Sequence, residues 1–247
     1  MSNLRIFFSL IAFVFGFGLA NAFGSPSSAC PIPLEKGIQW TYEGQVEWTI
    51  VGSATVKSRN IRWVTEVIDT VVGTNTQAAI IRGFPDELAW YEPEQLPGFC
   101  VVFSVSNRVY RIGAENEKQA RDFAQNVVGN PSHLSSSAIE LLIFPLAEGA
   151  KWGGDTNRDD NYYCWHVEQK RIEKKFVNGF SPAQSNDVFT VAFRTMPDHQ
   201  LMDIAPGLGI TRYVYVHHGT VASADMRLLS FKRPAETTIN SATVRPH

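Results

Sequence analysis

Pro33-Leu34-Glu35-Lys36-Gly37-Ile38-Gln39-Trp40 returns 112 residues later as Pro145-Leu146-Ala147-Glu148-Gly149-Ala150-Lys151-Trp152. Both read P-L-x-x-G-x-x-W. Pro fixes φ, Leu anchors a turn, Gly permits a left-handed position, and Trp opens a strand into a core. A second pair keeps the same offset of 112: Arg82-Gly83-Phe84-Pro85-Asp86 and Arg194-Thr195-Met196-Pro197-Asp198 both read R-x-x-P-D. There a strand ends, Pro prevents further pairing, and Asp can accept backbone N–H groups in the turn. Pro97-Gly98 and Pro206-Gly207 follow at an offset of 109, and Trp63-Val64-Thr65-Glu66 shares W-x-x-E with Trp165-His166-Val167-Glu168 at 102. Two separated motifs at one offset predict an internal duplication, with Trp40, Trp152, Gly37, Gly149, Pro85 and Pro197 as its structural residues.

Between these motifs the apolar residues alternate. Trp40, Tyr42, Val46, Trp48 and Ile50 interleave with Thr41, Glu47 and Thr49, a period of two that turns one face to a core. The same reading gives strands over 61–67, 77–82, 99–105, 109–112, 162–170, 171–177, 188–194, 211–217 and 227–232. Ser106-Asn107-Arg108 reads as a hairpin turn. One helix stands out over 115–128, with Ala120, Phe123, Ala124, Val127 and Val128 at helical spacing and Gly129 at its end. A shorter helix is expected from Ser136 to Ile143. The fold class is therefore mainly β: antiparallel curved sheets from a duplicated unit, sandwich or half-barrel-like, with one or two helices between the repeats. A single closed barrel competes with that arrangement. The domain plan is a β repeat over 31–113, a helical connector over 114–143, a second β repeat over 144–233 and a loose tail over 234–247.

The chain opens with Arg5, an apolar run from Ile6 to Ala20 and Ala20-Asn21-Ala22. These are the three parts of a cleavable secretory signal, residues 1–22. A small polar stretch, residues 23–30, leads into the domain. The expected location is outside the cytoplasm: periplasmic, cell-surface or secreted. Losing Arg5 leaves 21 Lys+Arg against 24 Asp+Glu, too mild a balance to attract nucleic acid or an anionic membrane. No later stretch is long and apolar enough to cross a bilayer as a helix. Hydrophobic residues at 44% and aromatics at 12% favour an ordered core. Three cysteines meet oxidising conditions, and an odd count leaves a thiol over. Cys100 and Cys164 are the preferred disulfide pair; Cys30 reads as a free thiol or a lipid attachment point.

The opening Pro33 to Tyr42, P-L-x-x-G-x-x-W-x-Y, resembles the start of several bacterial exported or lipoprotein-like families of uncharacterised function. In the second copy Gly154 replaces the Tyr. The resemblance implies an antiparallel sheet and an envelope location, and transfers no catalytic residue.

Chemistry-bearing groupings are few. Asp155, Asn157 and Asp159 carry oxygens at the alternate spacing that can wrap a hard cation, but Asp160 and His166 stand where a helix-loop-helix calcium site needs Gly and Glu. Asp198-His199 and His217-His218 could meet if their strands pair, to hold Zn²⁺ or to serve as acid and base, with Asp203 as a further carboxylate. Neighbouring residues on a strand face opposite ways, so only one of His217 and His218 should join a given site. Asp86 and Glu87 near Trp90-Tyr91-Glu92 have the make-up of a sugar site. Nucleophile-elbow, phosphate-loop and H-E-x-x-H motifs are missing, Pro206-Gly207-Leu208-Gly209-Ile210 reads as a turn, and no cofactor is expected. The preferred reading is a non-catalytic envelope protein that binds an apolar small molecule or a protein partner. The alternative is a metal-assisted hydrolase using His217 or His199 with Asp198.

Overall fold

The computed structural model describes residues 30–50, 52–130, 137–173, 187–219 and 222–234. The expected signal segment, nearly all of the expected lead-in, the end of the expected 171–177 strand and the tail from 235 on lie outside them. The strands are β1 (Gln39–Thr49), β2 (Val56–Val72), β3 (Thr76–Arg82), β4 (Phe99–Val105), β5 (Arg108–Ala114), β6 (Ile139–Ile143), β7 (Lys151–Gly154), β8 (Cys164–Ile172), β9 (Asp187–Arg194), β10 (Asp198–Ala205), β11 (Gly209–His217) and β12 (Ala222–Lys232); α1 (Glu117–Gly129) and a 3-10 helix (Pro85–Trp90) complete the set.

All twelve strands lie in one sheet, in the order β6-β5-β4-β3-β2-β1-β12-β11-β10-β9-β8-β7. Within β1–β6 and within β7–β12 each strand pairs antiparallel with its neighbours in sequence, and β12 comes back to pair with β1, Gln39 opposite Lys232. The wall is thus a meander that nearly closes on itself. A seam remains between β6 and β7, which share no ladder. The two halves join edge to edge, so the half-barrel form of the expectation is the one realised.

The inner faces carry the period-two residues, which pack into one hydrophobic cluster. Trp40 and Trp152 are both buried. The Trp40 indole N–H donates to the Leu208 carbonyl at 2.6 Å and the Tyr42 hydroxyl to that of Ile210 at 2.9 Å, tying β1 across the interior to the β10–β11 turn and β11. Trp152 stacks on Trp165 at 6.5 Å. The space beside Trp40, Tyr42 and Phe84 is a cavity of only about 10 Å³, at the lower limit for a single water.

The two P-L-x-x-G-x-x-W openings are hydrogen-bonded alike. Gly37 N donates to Val67 O and Val67 N to Ile38 O; Gly149 N donates to Val167 O and Val167 N to Ala150 O, all at 2.9 Å. Gly37 and Gly149 have φ of 85° and 80°, which only glycine adopts cheaply. Each opening is followed by a bulge, at Val67/Asp69 in β2 and Val167/Gln169 in β8. Val67 therefore corresponds to Val167, and that sets two of the sequence matches aside. Trp40 faces Thr65 while Trp152 faces Trp165, so Trp165 takes the place of Thr65, not of Trp63. Ile81 faces Val67 and Val191 faces Val167, so Arg82 corresponds to Ala192 and R-x-x-P-D stands two residues out of register.

Three further expectations change. Ile139–Ile143 is a strand, not the end of a helix, while Ser136 lies outside the described residues. Leu142 faces Val109 across the ladder to β5, and Glu140 pairs with Arg108. Tertiary pairing overrides the helix-favouring Leu-Leu sequence there. β8 runs unbroken through Ile172, so no turn separates Lys170 from Arg171. β10, unassigned in the sequence reading, pairs along both edges.

α1 starts at Asn116, whose side chain accepts from Gln119 N, an N-cap. It lays Ala120, Ala124 and Val127 on Ala78, Ile80, Val101, Phe103 and Ile112, the outer side of the first half. Arg121 reaches Asp69 at 2.5 Å and anchors the helix to β2.

Candidate functional site

Asp198 opens β10 and lies directly opposite His217, near the end of β11. His217 Nδ1 is 2.7 Å from Asp198 Oδ1, and the Tyr215 hydroxyl donates to the same oxygen at 2.6 Å. Thr195 Oγ1 accepts from Asp198 N at 3.0 Å and fixes the turn. Period-two spacing puts Tyr215 and His217 on one face of β11, as it must. Burial pushes the Asp198 carboxyl up, but the bonds from Tyr215 and His217 outweigh it and hold the group below the usual carboxylate range. Burial first, then that charge, raises the Tyr215 phenol.

Trp90, the last residue of the 3-10 helix, crosses to this pair from the first half. Its ring lies 4.9 Å from His217 and 5.8 Å from Tyr215, yet the residue stays 56% exposed. His217 turns Nδ1 to the carboxylate, and among the described residues its Nε2 has no hydrogen-bond partner. A Cβ on Gly219 would stand 2.8 Å from that Nε2, so glycine at 219 keeps the approach open.

His199 and His218 meet on the other side of the wall, at 3.3 Å. Only one histidine of each adjacent pair joins each cluster, as strand alternation requires. Arg194 Nη1 lies 3.2 Å from the same His199 Nδ1. A guanidinium can only donate, so this nitrogen accepts and His199 is neutral with its proton on Nε2. Burial, then Arg194 and His218, lower its affinity for a second proton. Arg194 continues to Glu168 at 2.8 Å, and Glu168 lies 3.2 Å from the buried His166.

The other candidates are engaged elsewhere. Among the described residues no group of three or more His, Cys, Asp or Glu side chains is placed to hold a metal ion. Asp155 accepts from Asn157 N in a tight turn, and Arg158 forms a two-pronged pair with Asp160. That pairing lowers the Asp160 carboxyl to about 2; the loop neutralises its own charge, and Asp159 stays exposed. Asp203 is bound by Arg171 at 2.8 Å, away from the histidines. Glu87 accepts from Phe84 N and Gly98 N and so closes the 3-10 helix onto the approach to β4. Asp86 lies 2.9 Å from Arg111 in an oblique ion pair without hydrogen-bond alignment; burial pushes its carboxyl up to about 6 against that cation.

Cys30, Cys100 and Cys164 are all free thiols, so the expected Cys100–Cys164 bridge is not formed. β4 and β8 belong to different halves and are not neighbours in the sheet. Burial pushes the Cys100 thiol up to about 12. Cys30 packs against the core, and burial raises it to about 11; a lipid there would have to displace that packing.

Sequence reasoning missed Tyr215, Thr195 and Arg194 as site members. Their signal was the alternation along β11 and the register of β10, visible only once the strands are paired.

No known family matches the chain, and no curated protein matches it. Two solved structures do. One, from Bacteroides fragilis NCTC 9343, is named an exported protein with a YmcC-like fold; it is 13% identical, covers 82% of this chain and 98% of its own, and has a TM-score of 0.40. The other, named a lipoprotein from Parabacteroides distasonis ATCC 8503, is 11% identical with the same coverages and a TM-score of 0.38.

Proposed function

We propose that this is an exported envelope protein that acts through its rim, as a non-catalytic docking domain for a protein partner. The leader sequence supports export. The small space beside Trp40, Tyr42 and Phe84, about 10 Å³, counts against carriage of an apolar molecule at that point inside the wall. Descent of the two halves from one duplicated unit belongs to the same proposal and is supported by their matching openings and bulges. Trp90 carries the reading: a large aromatic held ring-to-ring by His217 and Tyr215, yet more than half exposed. Met196, 74% exposed, lies two residues before Asp198. Exposed Trp and Met beside a polar rim have the composition of an interface anchor.

A photo-crosslinking residue placed at Trp90 in living cells should give one discrete protein adduct, with none from Lys118 on the exposed side of α1. Absence of an adduct at 90, or the same adduct from both positions, removes the proposal. A second reading, proton transfer by His217, is favoured by the 2.7 Å contact to Asp198. It requires turnover of an activated ester that His217→Ala abolishes and Trp90→Ala does not.

A further inference from the structure

The outer side of the second half bears a groove of about 470 Å³ across β8 to β12. Its place in the fold is telling. Ile80 faces Asp69 where Thr190 faces Gln169, Val101 faces Ile80 where Asp203 faces Thr190, and Ile112 faces Val101 where Arg212 faces Asp203. In the first half these positions are apolar and lie under α1.

The absence of a covering helix among the described residues calls for polar residues at these places. It does not call for like charges side by side. Arg212 and Arg227 are direct cross-strand partners, an arrangement that destabilises a sheet by itself. Of the neighbouring carboxylates, Asp203 and Asp225 are already matched, and the exposed Glu43, opposite Arg227 in the ladder to β1, forms no ion pair among the described residues. Asp203 binds Arg171 at 2.8 and 3.3 Å and Thr190 at 2.7 Å, and Glu173 closes the far side of Arg171 at 3.0 Å. Asp225 holds Arg212 through two bonds, 2.9 and 2.6 Å. Arg227 is exposed and, among the described residues, has no carboxylate within ion-pair reach. Leu201 and Val214, both half-buried, line the groove between the charged groups.

We propose that this groove binds a small amphiphile with an oxyanion head: the head on Arg227 and Arg212, the apolar part along Leu201 and Val214. A guanidinium held by a carboxylate is already oriented, so little side-chain entropy is lost on meeting the anion. An oxyanion between the two arginines also removes their repulsion.

Octyl phosphate and octanoate, below their micellar concentrations, are the probes, with octanol as the neutral control. Titration calorimetry on the full mature chain should show saturable binding of at least one anion, weaker at higher salt, and none of octanol. Arg227→Gln should weaken it about tenfold, the loss of one charge-assisted bond. Trp90→Ala should leave it unchanged, which keeps this test independent of docking at the rim. Arg227→Gln binding as tightly as the parent, octanol binding as tightly as the anions, or no saturable binding of either anion overturns the proposal. Cooperative urea unfolding of Arg227→Gln, with a midpoint at or above the parent's, verifies that the variant is folded.

Discussion

Ile80, Val101 and Ile112 lie dry beneath α1, while Thr190, Asp203 and Arg212 take the matching places in the second half and line an open groove. The strands on the two sides are paired alike through the bulge. Among the described residues, what differs is the cover. On the inner face both halves are apolar because both face one interior; on the outer face each strand answers to whatever lies over it. The outer residues of a sheet therefore report its neighbours and say little about the sheet itself.

The largest test of that contrast moves a charge under the helix. Val101→Asp places in the first half what Asp203 is in the second, but without an arginine to receive it. It should cost about 4 kcal/mol in urea unfolding. A cost below 1 kcal/mol would mean that α1 lifts readily off the sheet and that the halves differ less than they look.

The next test uses two acids from the same motif. Asp86 and Asp198 end the two R-x-x-P-D stretches and are shifted in opposite directions. Asp86, pushed up to about 6, holds its proton more tightly folded than unfolded. Stability should therefore fall as pH rises from about 4 to about 6, by up to about 3 kcal/mol. Asp198 is depressed, so its contribution is present at neutral pH and is lost only as pH falls through its folded value. Asp86→Asn should flatten the slope between pH 4 and 6 in urea midpoints. A slope that survives the substitution assigns it to another group.

The smallest effect sharpens the comparison where the halves agree. Gly37→Ala and Gly149→Ala each force a Cβ into a left-handed backbone, and each should cost about 1 kcal/mol. No atom crowds the added carbon at Gly149, and at Gly37 the nearest is Pro234 at 3.4 Å. Melting curves that separate the two variants by more than about 1 kcal/mol would show that the openings are not built to the same rule.

Strands were legible where apolar residues alternate, as in Trp40-Thr41-Tyr42. β10 was not, because its outer residues His199 and Asp203 are polar on a face that no described helix covers, and its first residue belongs to the rim. β6 was misread because Leu141 and Leu142 suit either structure and only pairing with β5 decides. The equivalence of Gly37 and Gly149 was visible in the sequence, since a backbone angle imposes it. The W-x-x-E and R-x-x-P-D matches misled by two residues, since a short motif carries no record of hairpin length. The meeting of Asp198 with His217 depends on register between strands, and no local spacing contains it.

β1 and β12 are zipped together from Gln39 opposite Lys232 to Trp48 opposite Ala222. The first strand to be synthesised thus waits for the last before its free edge is covered. Local hairpins can form early, but sealing the wall requires a contact spanning nearly the whole domain, the kind whose chain-closure cost slows folding most. Until then β1 offers an open row of donors and acceptors, and a truncation that removes β12 alone leaves that edge permanently bare to other chains.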